Sequence, residues 1–259
     1  MNLSSKLITA AAMTTAAVLF SMPTYAEIVP KQILDKIYGR HDRKQDCWFT
    51  MNAENNQRYC LKIDRIDKVE AETGSRLYIL VAGNAVDEKG EDNGAHVSSG
   101  LVGAFVLEER NGQAVILAAE PKHEIGASGF APKLWKLVKL GPSDYWGWQN
   151  EAGDCHQGYC GSRYAILAPY GKKIRDISGI TAYVDDSGGF LNKRRPSSIE
   201  SKLEIDSTQI NEKVFPLLIT VVGKKKGKKL TPKTWVIPFD SKKWTYPEPK
   251  GWPLAGVEF

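Results

Sequence analysis

The sequence predicts a mainly β protein: an antiparallel sandwich or barrel-like body with one short N-terminal helix and a smaller C-terminal β subdomain. Three observations carry that prediction. Short apolar runs recur along the chain between turn residues, several of them alternating apolar and polar positions. Asn111-Gly112 lies between two such runs, and an Asn-Gly pair in that setting is the strongest short-range hairpin signal. Beyond residue 26, only one segment joins helical spacing to both a start and a stop residue.

In chain order, Met1–Ala26 comes first. Lys6 supplies a positive start, and Leu7–Phe20 carries no charge. Pro23 breaks the run, and Thr24-Tyr25-Ala26 forms a small-x-small site before Glu27. This pattern reads as a secretory signal peptide cleaved after Ala26. A membrane-spanning helix needs about 20 apolar residues, more than this run provides. The expectation is a soluble protein exported to a bacterial periplasm.

The helix follows: Pro30 suits a first helical position, Ile33, Leu34, Ile37 and Tyr38 share a face, and Gly39 stops it. Strands are expected over Leu61–Val69 and Leu77–Ala82, with a turn between them, and over Leu101–Glu109 and Gln113–Ala119 around Asn111-Gly112. Further strands are expected at Tyr145–Gln149, Tyr164–Leu167, Ile180–Val184, Lys202–Ile205, Phe215–Val222 and Thr234–Phe239. In the last, Trp235, Ile237 and Phe239 fall on one face, and Pro238, lacking a backbone donor, suits an edge. Pro132–Leu140 fits a helix by its leucines but is followed by Gly-Pro and Tyr-Trp-Gly-Trp, so a strand is preferred.

Asp185–Ser198 is rich in glycine and charge and marks the expected boundary between a main domain, 27–190, and a C-terminal subdomain, 191–259. Charge changes sign there: 27–190 holds 20 Lys+Arg against 23 Asp+Glu, whereas 191–259 holds 14 against 7. The C-terminal part therefore carries a basic surface.

The four cysteines, Cys47, Cys60, Cys155 and Cys160, allow three pairings. In an oxidising compartment they read as disulfides, and local pairing, Cys47–Cys60 and Cys155–Cys160, is expected because both intervening loops look like turns. A loop of about 15 residues closed this way gains roughly 3 kcal/mol.

Three surfaces are candidates for binding. The loop Gly153–Cys160 would hold His156 and Tyr159 on a rigid tip, although a loop stapled only for stability accounts for the same residues. Its spacing is similar to the six-residue cystine loop with which one family of periplasmic lysozyme inhibitors plugs an active site. The likeness spans six residues and differs in the placement of the histidine, so the family's properties are not transferred. Trp146 and Trp148 share a strand face; exposed, they would stack on sugar rings, but core packing is the stronger reading. The run Lys224, Lys225, Lys226, Gly227, Lys228, Lys229 has the wrong glycine spacing for a phosphate loop. It reads first as a solvated hairpin tip whose lysines repel edge pairing, with contact to an anionic lipid surface as the second reading. Trp244, Tyr246 and Trp252, interleaved with prolines, are expected to pack over the surface.

No cofactor or metal motif is read. The histidines at 41, 96, 123 and 156 show no helical metal spacing, and no Gly-x-Ser-x-Gly elbow exists. The acidic loop Asp87–Gly94 lacks the ligand alternation of an EF-hand and reads as a solvated connection. The expected function is therefore a non-enzymatic periplasmic binding protein whose partner is an exported protein, a cell-wall glycan or an anionic membrane surface, and not nucleic acid. The alternatives are an envelope hydrolase using His96, His123 or His156 with a carboxylate, and a structural envelope component.

Overall fold

The computed structural model describes residues 29–71, 74–95, 97–110, 113–189 and 195–255. The signal-peptide reading, His96 and the Asn111-Gly112 turn lie outside the described residues. The chain is mainly β with one short helix. Helix α1 (Pro30–Tyr38) is followed by β1 (Trp48–Asn52), β2 (Gln57–Ala71), β3 (Gly74–Val86), β4 (Gly100–Arg110) and β5 (Gln113–Ile125). Next come β6 (Lys136–Gly141), β7 (Tyr145–His156), β8 (Tyr159–Tyr170), β9 (Lys173–Asp176) and β10 (Thr181–Asp185). The C-terminal part holds β11 (Ser198–Ile205), β12 (Leu217–Lys225), β13 (Lys228–Lys229) and β14 (Lys233–Ile237). Of the ambiguous segment 132–140, residues 136–140 belong to strand β6 and 132–135 are irregular.

All strands belong to one sheet, whose main path runs β1-β2-β3-β4-β5-β9-β8-β10-β11-β12-β13. Among the described residues the named strands pair antiparallel except for one parallel bridge, Ala119 with Lys173, and an isolated parallel bridge joins Ser178 to Tyr246. Strand β8 is the junction. One edge pairs with β7, while the other is divided between β9, along Leu167–Tyr170, and β10, along Cys160–Arg163.

The faces of β8 explain how this sheet forms layers. Ala165 and Leu167 enter a core with Tyr78, Leu80, Val102, Ala104 and Trp148. Tyr164, Ile166 and Ala168 point the other way, into a core with Ile180, Ile199, Leu217, Ile219 and Ile237. Successive strand residues face opposite sides, so an unbroken apolar run suits a strand buried on both. The second core takes residues from both sides of position 190. Strands β3 and β4 are also covered twice, because Ile79, Val81, Leu101 and Phe105 form a third core beneath α1 and β1.

Helix α1 begins and ends where its sequence demands. Pro30 occupies its first turn, and Gly39, at φ +90°, returns its N–H to the Asp35 carbonyl at 3.0 Å. Leu34 is buried, and Tyr38 donates to the Pro121 carbonyl at 2.7 Å. A Cβ on Gly103 would strike the Tyr38 hydroxyl, so glycine in the middle of β4 makes room for that contact. Trp48 Nε1 donates to Asp35 at 2.7 Å, tying the helix to β1, and Cys47–Cys60 closes the same corner with Cys47 fully buried.

Core packing, the stronger reading of Trp146 and Trp148, holds, whereas the expectation for the aromatic tail needs correction. Trp148 is fully buried, its ring 5.6 Å from that of Tyr78, and Trp146 is half-buried in the same core. The shared face points at a packed layer, so Trp148 is not accessible to a sugar. The aromatic tail is interior rather than superficial. Tyr246 and Trp252 are buried in the core under β12, where Tyr246 donates to the Phe215 carbonyl at 2.7 Å and Trp252 to the Thr181 carbonyl at 3.0 Å. Edge strand β14 pairs only with β12, as Pro238 directly after it requires.

Candidate functional site

Strands β7 and β8 meet in the shortest kind of hairpin. Cys155 faces Cys160 and His156 faces Tyr159, leaving Gln157-Gly158 as a two-residue turn. Gln157 has φ +48° and Gly158 φ +83°, the pair of left-handed conformations a type I′ turn requires. The Cys155–Cys160 disulfide joins residues directly opposite each other, with their Cα atoms 4.0 Å apart. Cys155, His156 and Gln157 are exposed, whereas Tyr159 is half-buried. One side of the tip is occupied: a Cβ on Gly158 would lie 2.1 Å from the Gly188 carbonyl carbon, and one on Gly189 would lie 2.6 Å from the Tyr159 ring.

At the base of this hairpin lies a groove of about 590 Å³, bounded by residues 97–99, the end of β5, and the facing stretches of β7 and β8. His156, Asp154, Arg163, Glu124, Ser98 and Ser99 supply its polar groups. The charged walls are set in place by their own partners. Arg163 Nη1 donates to Asp176 at 2.6 Å, and the other Asp176 oxygen accepts the Ile166 and Ser178 N–H groups at 3.1 Å. Glu124 accepts from Asn52 and, at 2.6 Å, from Asn55, whose amide also donates to the Tyr59 hydroxyl at 3.0 Å. Tyr59 in turn donates to the Ser99 carbonyl at 3.3 Å, and Gly129 N–H donates to that of Ser98 at 2.7 Å, which fixes the rim.

The three described histidines sit on separate elements. His41 stacks edge-on against Trp48 at the helix corner, with Nε2 3.4 Å from Asp46. His123 is on β5, where burial holds its imidazole below the ordinary value despite an opposing pull from Asp176. His156 alone of the three lines the groove. No group of three or more His, Cys, Asp or Glu with the geometry to hold a metal ion occurs among the described residues. In the acidic loop, Asp87 accepts the Lys89 and Glu91 N–H groups at 2.8 and 2.9 Å, which is turn chemistry.

The lysine run is a second two-residue hairpin. Lys224 faces Lys229 and Lys225 faces Lys228, with Lys226 at φ +50° and Gly227 at φ +75° in the turn. Every residue from 224 to 229 is exposed. The tip rests on the preceding connection, because Lys226 N–H donates to Ser197 Oγ at 3.0 Å and Gly227 N–H to the Pro196 carbonyl at 2.8 Å.

The register places both hairpins on one margin of the sheet. Cys160 faces Asp185, Asp185 faces Ser198, and Ser198 faces Lys224, giving one line across β8, β10, β11 and β12. Five inter-strand steps separate Cys155 from Lys229, a span of about 24 Å. Two of the three surfaces singled out in the sequence are therefore neighbours, while the third, at Trp148, is interior. Arg163, Asp176, Glu124 and the two serines carry no local sequence signal, since they converge only through strand pairing.

Comparison of the chain with protein-family models, with curated proteins and with solved structures finds no match in any of the three. Among the described residues, no helix is long and apolar enough to cross a membrane.

Proposed function

We propose that this chain is an exported, non-enzymatic binding protein of the bacterial periplasm. Its partner-contacting surface is the cystine hairpin together with the groove at its base. The observation that carries the reading is the exposed His156 on a tip already ordered by a disulfide and a tight turn. A pre-ordered tip loses little conformational freedom on association, which converts more of each contact into affinity. Two disulfides in the chain support an oxidising compartment. An exported protein is favoured over a glycan as partner. Trp148 is withdrawn from solvent, and the groove offers charges of both signs rather than a flat aromatic platform.

The test is affinity capture from envelope extract on the mature, oxidised protein, alongside His156→Ala and Cys155→Ser/Cys160→Ser. A discrete protein retained by the native chain and lost from both variants is the expected outcome. Retention that both variants preserve, capture of glycan alone, or no capture removes the reading.

A further inference from the structure

We propose that the β12–β13 hairpin is an electrostatic docking point for an anionic lipid bilayer, separate from the partner site on the cystine hairpin. Five of its six residues from 224 to 229 are lysines, all exposed. Arg195 adds a sixth cation, since a Cβ on Gly227 would touch its side chain at 3.6 Å. The strand register sets these charges against each other, Lys224 opposite Lys229 and Lys225 opposite Lys228, and like charges in facing positions oppose folding. Among the described residues none of the five lysines forms an ion pair. Lys225 Nζ donates to a neutral backbone group, the Pro253 carbonyl, at 2.6 Å. The repulsion is thus left uncompensated on a ribbon whose backbone is held by Ser197 and Pro196.

The residue type indicates what compensates it. A pocket for one phosphate favours arginine, whose planar fork binds two oxygens at once. Lysine is a point charge on a flexible stem, suited to a diffuse negative potential. The tip of a two-residue hairpin reaches an extended surface without needing a cavity. Sequence charge is also polarised, net +7 over 191–259 and −3 over 27–190, so a negative surface orients the molecule with this end toward it. Docking there brings the cystine hairpin on the same margin to within about 24 Å of the bilayer.

The experiment is co-sedimentation of the mature chain with vesicles of phosphatidylcholine alone and of phosphatidylcholine with phosphatidylglycerol. Binding is expected only to the anionic vesicles, weakening at least tenfold between about 0.05 and about 0.5 M salt. Each Lys→Gln change at 224, 225, 226, 228 or 229 is expected to weaken it roughly fivefold, and all five together to abolish it. The Lys226→Gln/Lys228→Gln pair covers the case in which the fivefold variant does not fold. Lys133→Gln/Lys136→Gln/Lys172→Gln, with the same type of change on other strands and turns, is expected to leave binding unaltered. Equal binding to neutral vesicles, no binding, or binding that survives the hairpin changes overturns the proposal. So does retention on a soluble polyanion such as heparin without vesicle binding.

Discussion

Hairpins β7–β8 and β12–β13 share one margin of one sheet and one turn geometry, yet they are held closed by opposite means. Each turn pairs a longer side chain with glycine, Gln157-Gly158 and Lys226-Gly227, and both residues of each adopt positive φ. In the first, the facing pair one step beyond His156 and Tyr159 is bridged by a covalent bond, and the turn glycine is pressed against Gly188. In the second, the facing positions carry like charges, and a Cβ on the turn glycine would meet only ordinary contacts, with Arg195 at 3.6 Å. The contrast separates what a tight turn requires, which both satisfy, from covalent closure and close packing of the turn glycine, which only the first has.

Substitutions probe that contrast. Gly158→Ala should be the most damaging, because it adds backbone overlap with Gly188 to the strain of positive φ; a loss of roughly 3 kcal/mol in chemical denaturation is expected. If it costs no more than the same change at Gly227, the packing of the cystine tip against Gly188 is refuted. Cys155→Ser/Cys160→Ser should cost about 2 kcal/mol through the unfolded chain, and native-state hydrogen exchange should quicken around 155–160 but not around 224–229. Gly227→Ala, where the added Cβ makes only ordinary contact with Arg195, should lose only about 1 kcal/mol. Smallest is Lys224→Glu, which turns a repulsive facing pair into an attractive one and should raise stability by about 0.5 kcal/mol. A loss there would mean that repulsion between Lys224 and Lys229 is already relieved.

Much of this was legible locally. Pro30 and Gly39 bound the helix at the residues their backbone chemistry favours, and the cysteine spacing indicated both bridges. Alternation placed Trp146 and Trp148 on a common face. It could not say that the face meets β3 and β4, because that contact joins segments about 45 to 70 residues apart. The alignment of the two hairpins was hidden for a similar reason. It depends on β10 and β11 lying between β8 and β12, and no short-range pattern encodes strand order. The groove was least legible, since Arg163, Asp176 and Glu124 are ordinary surface residue types until pairing brings them together.

Strand β8 has a consequence for how the chain can vary. On β11, the outward residues Ser198, Glu200, Lys202 and Glu204 are exposed, so exchange at every second position should pass unnoticed. From Tyr164 to Ala168 no such alternation is available, because five consecutive side chains are buried in two different cores. A saturation library should show a period-two ripple of tolerance along β11 and an unbroken trough at 164–168. Drift in the sequence over time would be channelled the same way, with β8 the slowest stretch to change.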